Sequence, residues 1–265
     1  MRTDQAGIWL YAVADRLPAF RLAGLTGIRD VPLRALDAGR LTAVASDVQL
    51  SEFGEAALRR NLEDLDWLEG VARAHHRVVE ALAERAPVVP MRLATVYTSE
   101  AAVTGMLAER AADLAEALRR ISSCQEWGVK TYADPRQRAQ HEADAADRPA
   151  GDAPARSGVA YLQRRRRELS EQRDSRQELT DSADLVHARL CDLALDWRLH
   201  PPQAPQLTGS TVQMVLNATY LLDECQAANF AAAVAVLGQE QSCLRLDLTG
   251  PWPPYSFAEV GDGSR

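Results

Sequence analysis

Hydrophobic positions along the chain change period several times, and each change predicts an element. Ile8–Val13 (IWLYAV) is a continuous apolar run of strand-forming residues, which predicts a buried β-strand. Gly24 and Gly27 mark a loop. Leu41–Asp47 (LTAVASD) predicts a second buried strand, preceded by a turn at Asp37–Gly39. From Asn61 to Arg85 the period becomes helical. Leu62, Leu65, Leu68, Ala72, His75, Val79 and Leu82 recur at three- and four-residue steps, one face of a long amphipathic helix. Asn61 is its expected N-cap and Pro87 its stop. Val88–Tyr97 reads as extended, with Pro90 placing it at an edge or a strand start. Ser99 is expected to cap a helix reaching about Arg120, and Glu126–Ala133 alternates as a half-buried strand.

Residues 135–157 carry almost no large apolar side chain, so they read as a linker or mobile loop. Beyond them a very polar helix is expected from Val159 to Leu199, ended by His200-Pro201-Pro202. Thr211–Asp223 alternates as a strand. Asp223–Leu237 reads as a helix stopped by Gly238, and Ser242–Leu248 is a strand with Leu244, Leu246 and Leu248 on one face. Strands and helices in both halves predict an α+β fold of two domains. Residues 1–134 would form an N-terminal domain with an α/β-type sheet and long helices. Residues 158–265 would form a ferredoxin-like C-terminal domain with an extended helix and a proline-and-aromatic tail.

Composition narrows the function. The net charge is −7 and Lys130 is the only lysine, which argues against a nucleic-acid binder, whose affinity comes largely from neutralising phosphates. No run approaches the ~18 apolar residues of a membrane span, and no secretory leader is visible, so a cytoplasmic protein is expected. Cys124, Cys191, Cys225 and Cys243 match no zinc spacing and read as buried free thiols.

Candidate chemistry is sparse. His76 and Glu80 stand four apart on the long helix, half of a metal site without an evident third ligand. His75, on the apolar face, reads as a hydrogen-bonded core histidine. Arg164–Arg167 would wrap all sides of a helix, which suits a solvated surface better than a groove-reading stripe. The acidic cluster Glu63, Asp64, Asp66 and Glu69 is explained by its place at a helix start. Neither phosphate-binding glycine loop nor a G-x-S-x-G setting occurs. No catalytic, cofactor-binding or metal-binding residue is therefore assigned, and no cofactor is expected.

The informative segment is Gly250-Pro251-Trp252-Pro253-Pro254-Tyr255-Ser256-Phe257. Its prolines remove main-chain donors and stiffen the backbone, so it cannot be a sheet interior. Two readings fit it. In the first, the aromatics lock the C-terminal strip onto a sheet by packing. Alternatively Gly250, Pro251, Trp252, Pro253, Pro254, Tyr255 and Phe257 form a rigid partner-binding surface, where a stiff backbone lowers the entropic cost of association.

This segment resembles the C-terminal signature of the gas vesicle GvpL/GvpF family. Other stretches agree in order: Ile8–Val13, the A-R-A-H step ending at His75, Val89–Tyr97 (VPMRLATVY), Glu126–Lys130 (EWGVK), and Tyr161-Leu162 before the arginine run. Leu93-Ala94 depart from the family's Phe-Gly. Alanine does not easily adopt positive φ, so no special turn is expected there. The resemblance implies a two-domain α+β protein that supports gas vesicle formation and is not an enzyme. It implies as partners the small hydrophobic major shell protein and other gas vesicle accessory proteins, with no nucleic acid or membrane. The rival reading is a small-molecule-binding module or enzyme on a ferredoxin-like scaffold.

Overall fold

The apolar run near the N-terminus is buried on both faces because its strand is central in a sheet against which helices pack, residues 65–83 and 111–120 among them. In the computed structural model, which describes residues 5–133, 158–202 and 213–258, strand β1 (Ala6–Asp15) pairs antiparallel with β3 (Leu41–Gln49) from Ala6↔Gln49 to Asp15↔Leu41. Strand β2 (Arg34–Ala38) follows β3 on the outside, joined by a two-residue hairpin in which Gly39 takes φ +63. The other side of β1 is shared by β4 (Val88–Pro90) and β5 (Val96–Tyr97), both antiparallel to it. The stretch expected to be one extended piece is thus interrupted between Arg92 and Thr95, where Thr95 N–H donates to Arg92 O. Ala94 has φ +66, so the turn that alanine was expected to forbid does exist.

Short helices α1 (Leu50–Phe53) and α2 (Glu55–Asn61) precede the long helix α3 (Leu65–Ala83). Asn61 closes α2 and does not cap α3. Asp64 is the cap, accepting from the N–H groups of Asp66 and Trp67 at 3.1 and 3.2 Å. Consequently Leu62 and Leu65 are exposed, and α3 buries Val71, His75, Val78, Val79 and Leu82 on the sheet. They join Trp9, Tyr11, Val44 and Phe53 in one core. Ser99 caps its helix as expected, but Arg110 breaks that helix into α4 (Glu100–Glu109) and α5 (Ala111–Arg120).

The second sheet has the order β7-β8-β6-β9. Its strands are β6 (Cys124–Ala133), β7 (Asp196–Leu199), β8 (Met214–Asp223) and β9 (Leu244–Trp252), with α6 (Gly158–Cys191) between β6 and β7 and α7 (Ala227–Glu240) between β8 and β9. A strand–helix–strand–strand–helix–strand chain with the first and third strands central is the ferredoxin-like arrangement. Two expectations change. The helix expected to reach Leu199 ends at Cys191, because Trp197 and Leu199 pair with Tyr220 and Ala218 of β8. Strand β6 supplies the first strand of this sheet, so it does not close the N-terminal domain.

The chain divides into two compact units: one runs to Glu126 and resumes at Pro251, the other is Trp127–Gly250. The boundary expected at residue 134 therefore lies at Glu126, and the tail expected in the C-terminal domain belongs to the first unit. The expected linker, residues 135–157, falls outside the described residues, as do Thr211 and Val212. The core of the second unit gathers Val129, Val186, Leu190, Leu216, Tyr220, Phe230 and Val234. The four cysteines form no disulfide, and none is buried as expected: Cys124, Cys191 and Cys243 are half-buried, and Cys225 is exposed at the turn before α7, where its N–H is held by Asp223.

Candidate functional site

The proline-and-aromatic segment begins at the end of an edge strand, where a proline can sit without costing a ladder bond. Gly250 has φ +123, a conformation L side chains rarely adopt, and there the chain leaves the second unit. Pro253, Pro254, Phe257 and Ala258 are buried. Tyr255–Phe257 form a turn closed by the Phe257 and Ala258 N–H groups on Pro254 O, at 3.3 and 3.0 Å. Phe257 and Tyr255 therefore pack within the first unit, Tyr255 against the core there, while Trp252, the third aromatic of the packing reading, stays exposed.

Three side chains from distant elements hold this segment. Glu126, buried in β6, accepts from Ser256 N–H and Ser256 Oγ–H, each at 2.7 Å. Burial pushes the Glu126 carboxyl above its ordinary pKa, while the two Ser256 bonds pull the other way. Arg120 at the end of α5 donates to Phe257 O at 2.5 Å. His76 on α3 places Nδ1 3.2 Å from the Tyr255 hydroxyl and lies edge-on to the Trp252 ring, with centroids 5.2 Å apart. Burial, with the charges of Glu80 and Glu126 nearby, holds the Tyr255 hydroxyl above its ordinary pKa.

The predicted site residues thus separate into two groups. Pro253, Pro254 and Phe257 are interior, whereas Pro251 and Trp252 face outward, Trp252 with 40% exposure. His76, Glu126 and Arg120 were not assigned to this site from sequence. Glu126 opens E-W-G-V-K, a stretch that carried the resemblance, and His76 directly follows another, A-R-A-H.

The remaining candidates are dispersed. His75 accepts from Trp9 Nε1–H at Nδ1, at 3.0 Å, and donates from Nε2 to Met91 O at 3.1 Å, which makes it the hydrogen-bonded core histidine expected. Among the described residues, no three His, Cys, Asp or Glu side chains gather as a metal site. Asp64 is a helix cap, and Glu63, Asp66 and Glu69 are exposed with it. Arg165, Arg166 and Arg167 are exposed on α6, and the side chain of Arg164 is outside those described. No helix among the described residues is long and apolar enough to cross a membrane. What the tail region offers is a packed clasp with one half-exposed indole held on an imidazole.

The family model described as gas vesicle synthesis protein GvpL/GvpF matches residues 7–259. Gas vesicle protein L of a Streptomyces is 38% identical over 263 residues, covering 99% of this chain and 96% of that protein. Gas vesicle protein L2 of Halobacterium salinarum is 27% identical over 278 residues, covering 95% and 91%. The crystal structure of GvpF from Anabaena sp. is similar in fold, with a TM-score of 0.64 at 21% identity over 97% of this chain and 98% of that one. GvpF from Microcystis aeruginosa gives 0.65 at 20% identity, covering 96% and 99%. The chain belongs to the GvpL/GvpF family of gas vesicle synthesis proteins, and its role is in gas vesicle formation.

Proposed function

We propose that this protein is a cytoplasmic, non-enzymatic accessory of gas vesicle assembly that binds the small hydrophobic shell protein, in company with other gas vesicle accessory proteins. The observation that carries this reading is the Trp252 ring, 40% exposed and fixed between Pro251, Pro253 and His76. An indole held rigid at the surface loses little freedom on binding and can fill a partner's apolar pocket.

The physical need is plain. A subunit destined for an apolar, gas-facing shell exposes apolar surface before it polymerises, and that surface invites aggregation. A partner with a net charge of −7 and a preset aromatic contact keeps such a subunit in solution until it joins the shell.

The test is retention of purified shell protein by the immobilised full chain, compared with Trp252→Ala. Truncation before Gly250 is a poor variant, because it also removes Phe257 from the core. Trp252→Ala spares Tyr255, Ser256 and Phe257. Retention by the parent chain with a roughly tenfold weaker Trp252→Ala supports the reading; a tenfold change is about 1.4 kcal/mol, ordinary for an aromatic anchor. If the parent chain retains the shell protein no better than an unrelated acidic protein does, the reading is wrong.

A further inference from the structure

Among the described residues strand β7 is an outer strand of the second sheet, and the outward main-chain groups of Trp197 are already occupied by the side chains on either side of it. His200 N–H donates to Asn217 O at 2.8 Å, so the even-numbered residues of β7 face β8 and Trp197 and Leu199 turn their N–H and C=O groups outward. The Trp197 N–H donates to Asp196 Oδ1 at 2.8 Å. The Trp197 carbonyl accepts from Arg198 Nη1 at 2.8 Å. Asp196 and Arg198 close the ring with an ion pair of 2.9 Å. Both groups through which Trp197 would extend the sheet are thus covered by two flanking charges, one of the known ways in which an edge strand is kept from pairing at random.

Sealing the edge does not hide its side chains. Trp197 and Leu199, alternate residues of the strand, are 43% and 55% exposed, and Leu195, in the bend that leads into β7 with its own N–H on Leu221 O at 2.8 Å, is 64% exposed. That spacing matches the alternate side chains of an added strand and not the three- and four-residue steps of a helix. Trp197 is held edge-on to His187, with centroids 4.8 Å apart, so its ring is preset.

We propose that β7 is a gated docking edge for an extended, alternately apolar segment of a different protein, which displaces the Asp196–Arg198 clamp and adds a strand beside Trp197 and Leu199. Given the reading above, on which this step rests, that segment belongs to the shell protein. A second copy of this chain is disfavoured because edge-to-edge pairing would open two clamps, one on each copy, whereas a foreign strand opens one. The clamp keeps the strand closed to its own kind and open to a partner with enough apolar contact to displace it.

The experiment uses the full chain and purified shell protein, with four chains compared: the parent, Trp197→Ser, Leu199→Pro, and the double variant Asp196→Ala/Arg198→Ala. Leu199→Pro removes an outward N–H and leaves the bonds to β8 in place. Trp197→Ser removes the anchor without a backbone constraint, and so covers the case in which the proline disturbs folding. Circular dichroism and sedimentation accompany each retention assay. Retention falling roughly tenfold in Trp197→Ser at unchanged fold, and rising in the double variant while it stays monomeric, is the expected result. Undiminished retention by Trp197→Ser overturns the docking edge and leaves the shell-binding reading standing. Self-association of the double variant without added retention assigns the edge to a second copy and overturns the proposal. No retention by the parent chain overturns the reading itself, and the proposal with it.

Discussion

Glu126 and Ser256, 130 residues apart in sequence, are joined by two hydrogen bonds of 2.7 Å that tie the start of β6 to the C-terminal turn. Both bonds go to one buried carboxylate, so losing either leaves part of it without a partner. Ser256→Ala should cost about 1–3 kcal/mol, the scale of removing a partner from a buried charged group. Hydrogen exchange locates the effect: the Phe257 and Ala258 amides should exchange faster before the rest of the first unit opens. Glu126→Gln, which keeps an acceptor for the Ser256 N–H, should cost less than Glu126→Ala. Equal losses in the two variants would mean that the side chain serves as filler and not as an acceptor.

Acid sensitivity should trace to His75. Burial lowers its pKa from 6.5 to about 4 against the raising effect of Met91 O. Between those values the unfolded chain binds a proton that the native state refuses, so stability rises with pH across this window. The contribution is complete above pH 6.5 and is lost as pH falls toward 4, by about 3 kcal/mol for a shift of this size. Glu126 works in the opposite sense. Its raised pKa gives stability present at low pH and lost as pH climbs from 4.5 through its folded value. Urea midpoints measured from pH 4 to 7 should therefore fall on acidification in the parent chain. They should fall much less in His75→Gln, whose carbonyl can still accept from Trp9. An unchanged slope in that variant would exonerate His75.

What local pattern disclosed, and what it missed, follows from where the deciding interaction lies. Strand β1 was readable because a six-residue apolar run is buried whatever its neighbours are. Strand β6 was readable because it alternates. The end of α6 was not: Leu190, Leu193 and Trp197 sit at helical spacing, and only pairing with Ala218–Leu221 makes the last part a strand. Asn61 and Asp64 are both good caps at three-residue separation, and the choice between them depends on where α2 stops. The tail was recognised as rigid and aromatic from its prolines. Its receptors His76, Arg120 and Glu126 lie more than a hundred residues away, beyond any local period.

Ala94 carries a small, correctable strain. Its φ of +66 brings the chain back to β1 after Arg92, so that Leu10 N–H reaches Thr95 O at 3.0 Å. A Cβ in that region costs roughly 1–2 kcal/mol, and the greater freedom of glycine in the unfolded chain returns part of it. Ala94→Gly should therefore stabilise the protein by about 0.5–1 kcal/mol, read as a higher urea midpoint at unchanged slope. A lower midpoint would show that the methyl group packs more than it strains.

Gly27 should behave in the opposite way, although it reads from sequence as an ordinary loop glycine. A Cβ there would lie 2.1 Å from the Tyr11 hydroxyl oxygen and 2.7 Å from its Cζ. Tyr11 is fully buried, its hydroxyl accepts from Ile28 N–H at 2.8 Å, and it shares a 2.7 Å bond with Ser46 Oγ. The ring cannot retreat without breaking both bonds and disturbing its stacking on His75, at 5.4 Å between centroids. Gly27→Ala should cost about 2–4 kcal/mol, combining overpacking with orphaned polar groups. Gly24, three residues earlier, has φ +76 but open space around it, so Gly24→Ala should lose only about 1 kcal/mol of backbone strain. Tyr11→Phe separates the causes. If Gly27→Ala is much milder in that background, the clash with the hydroxyl is the source; if the loss is the same, the backbone of the loop is.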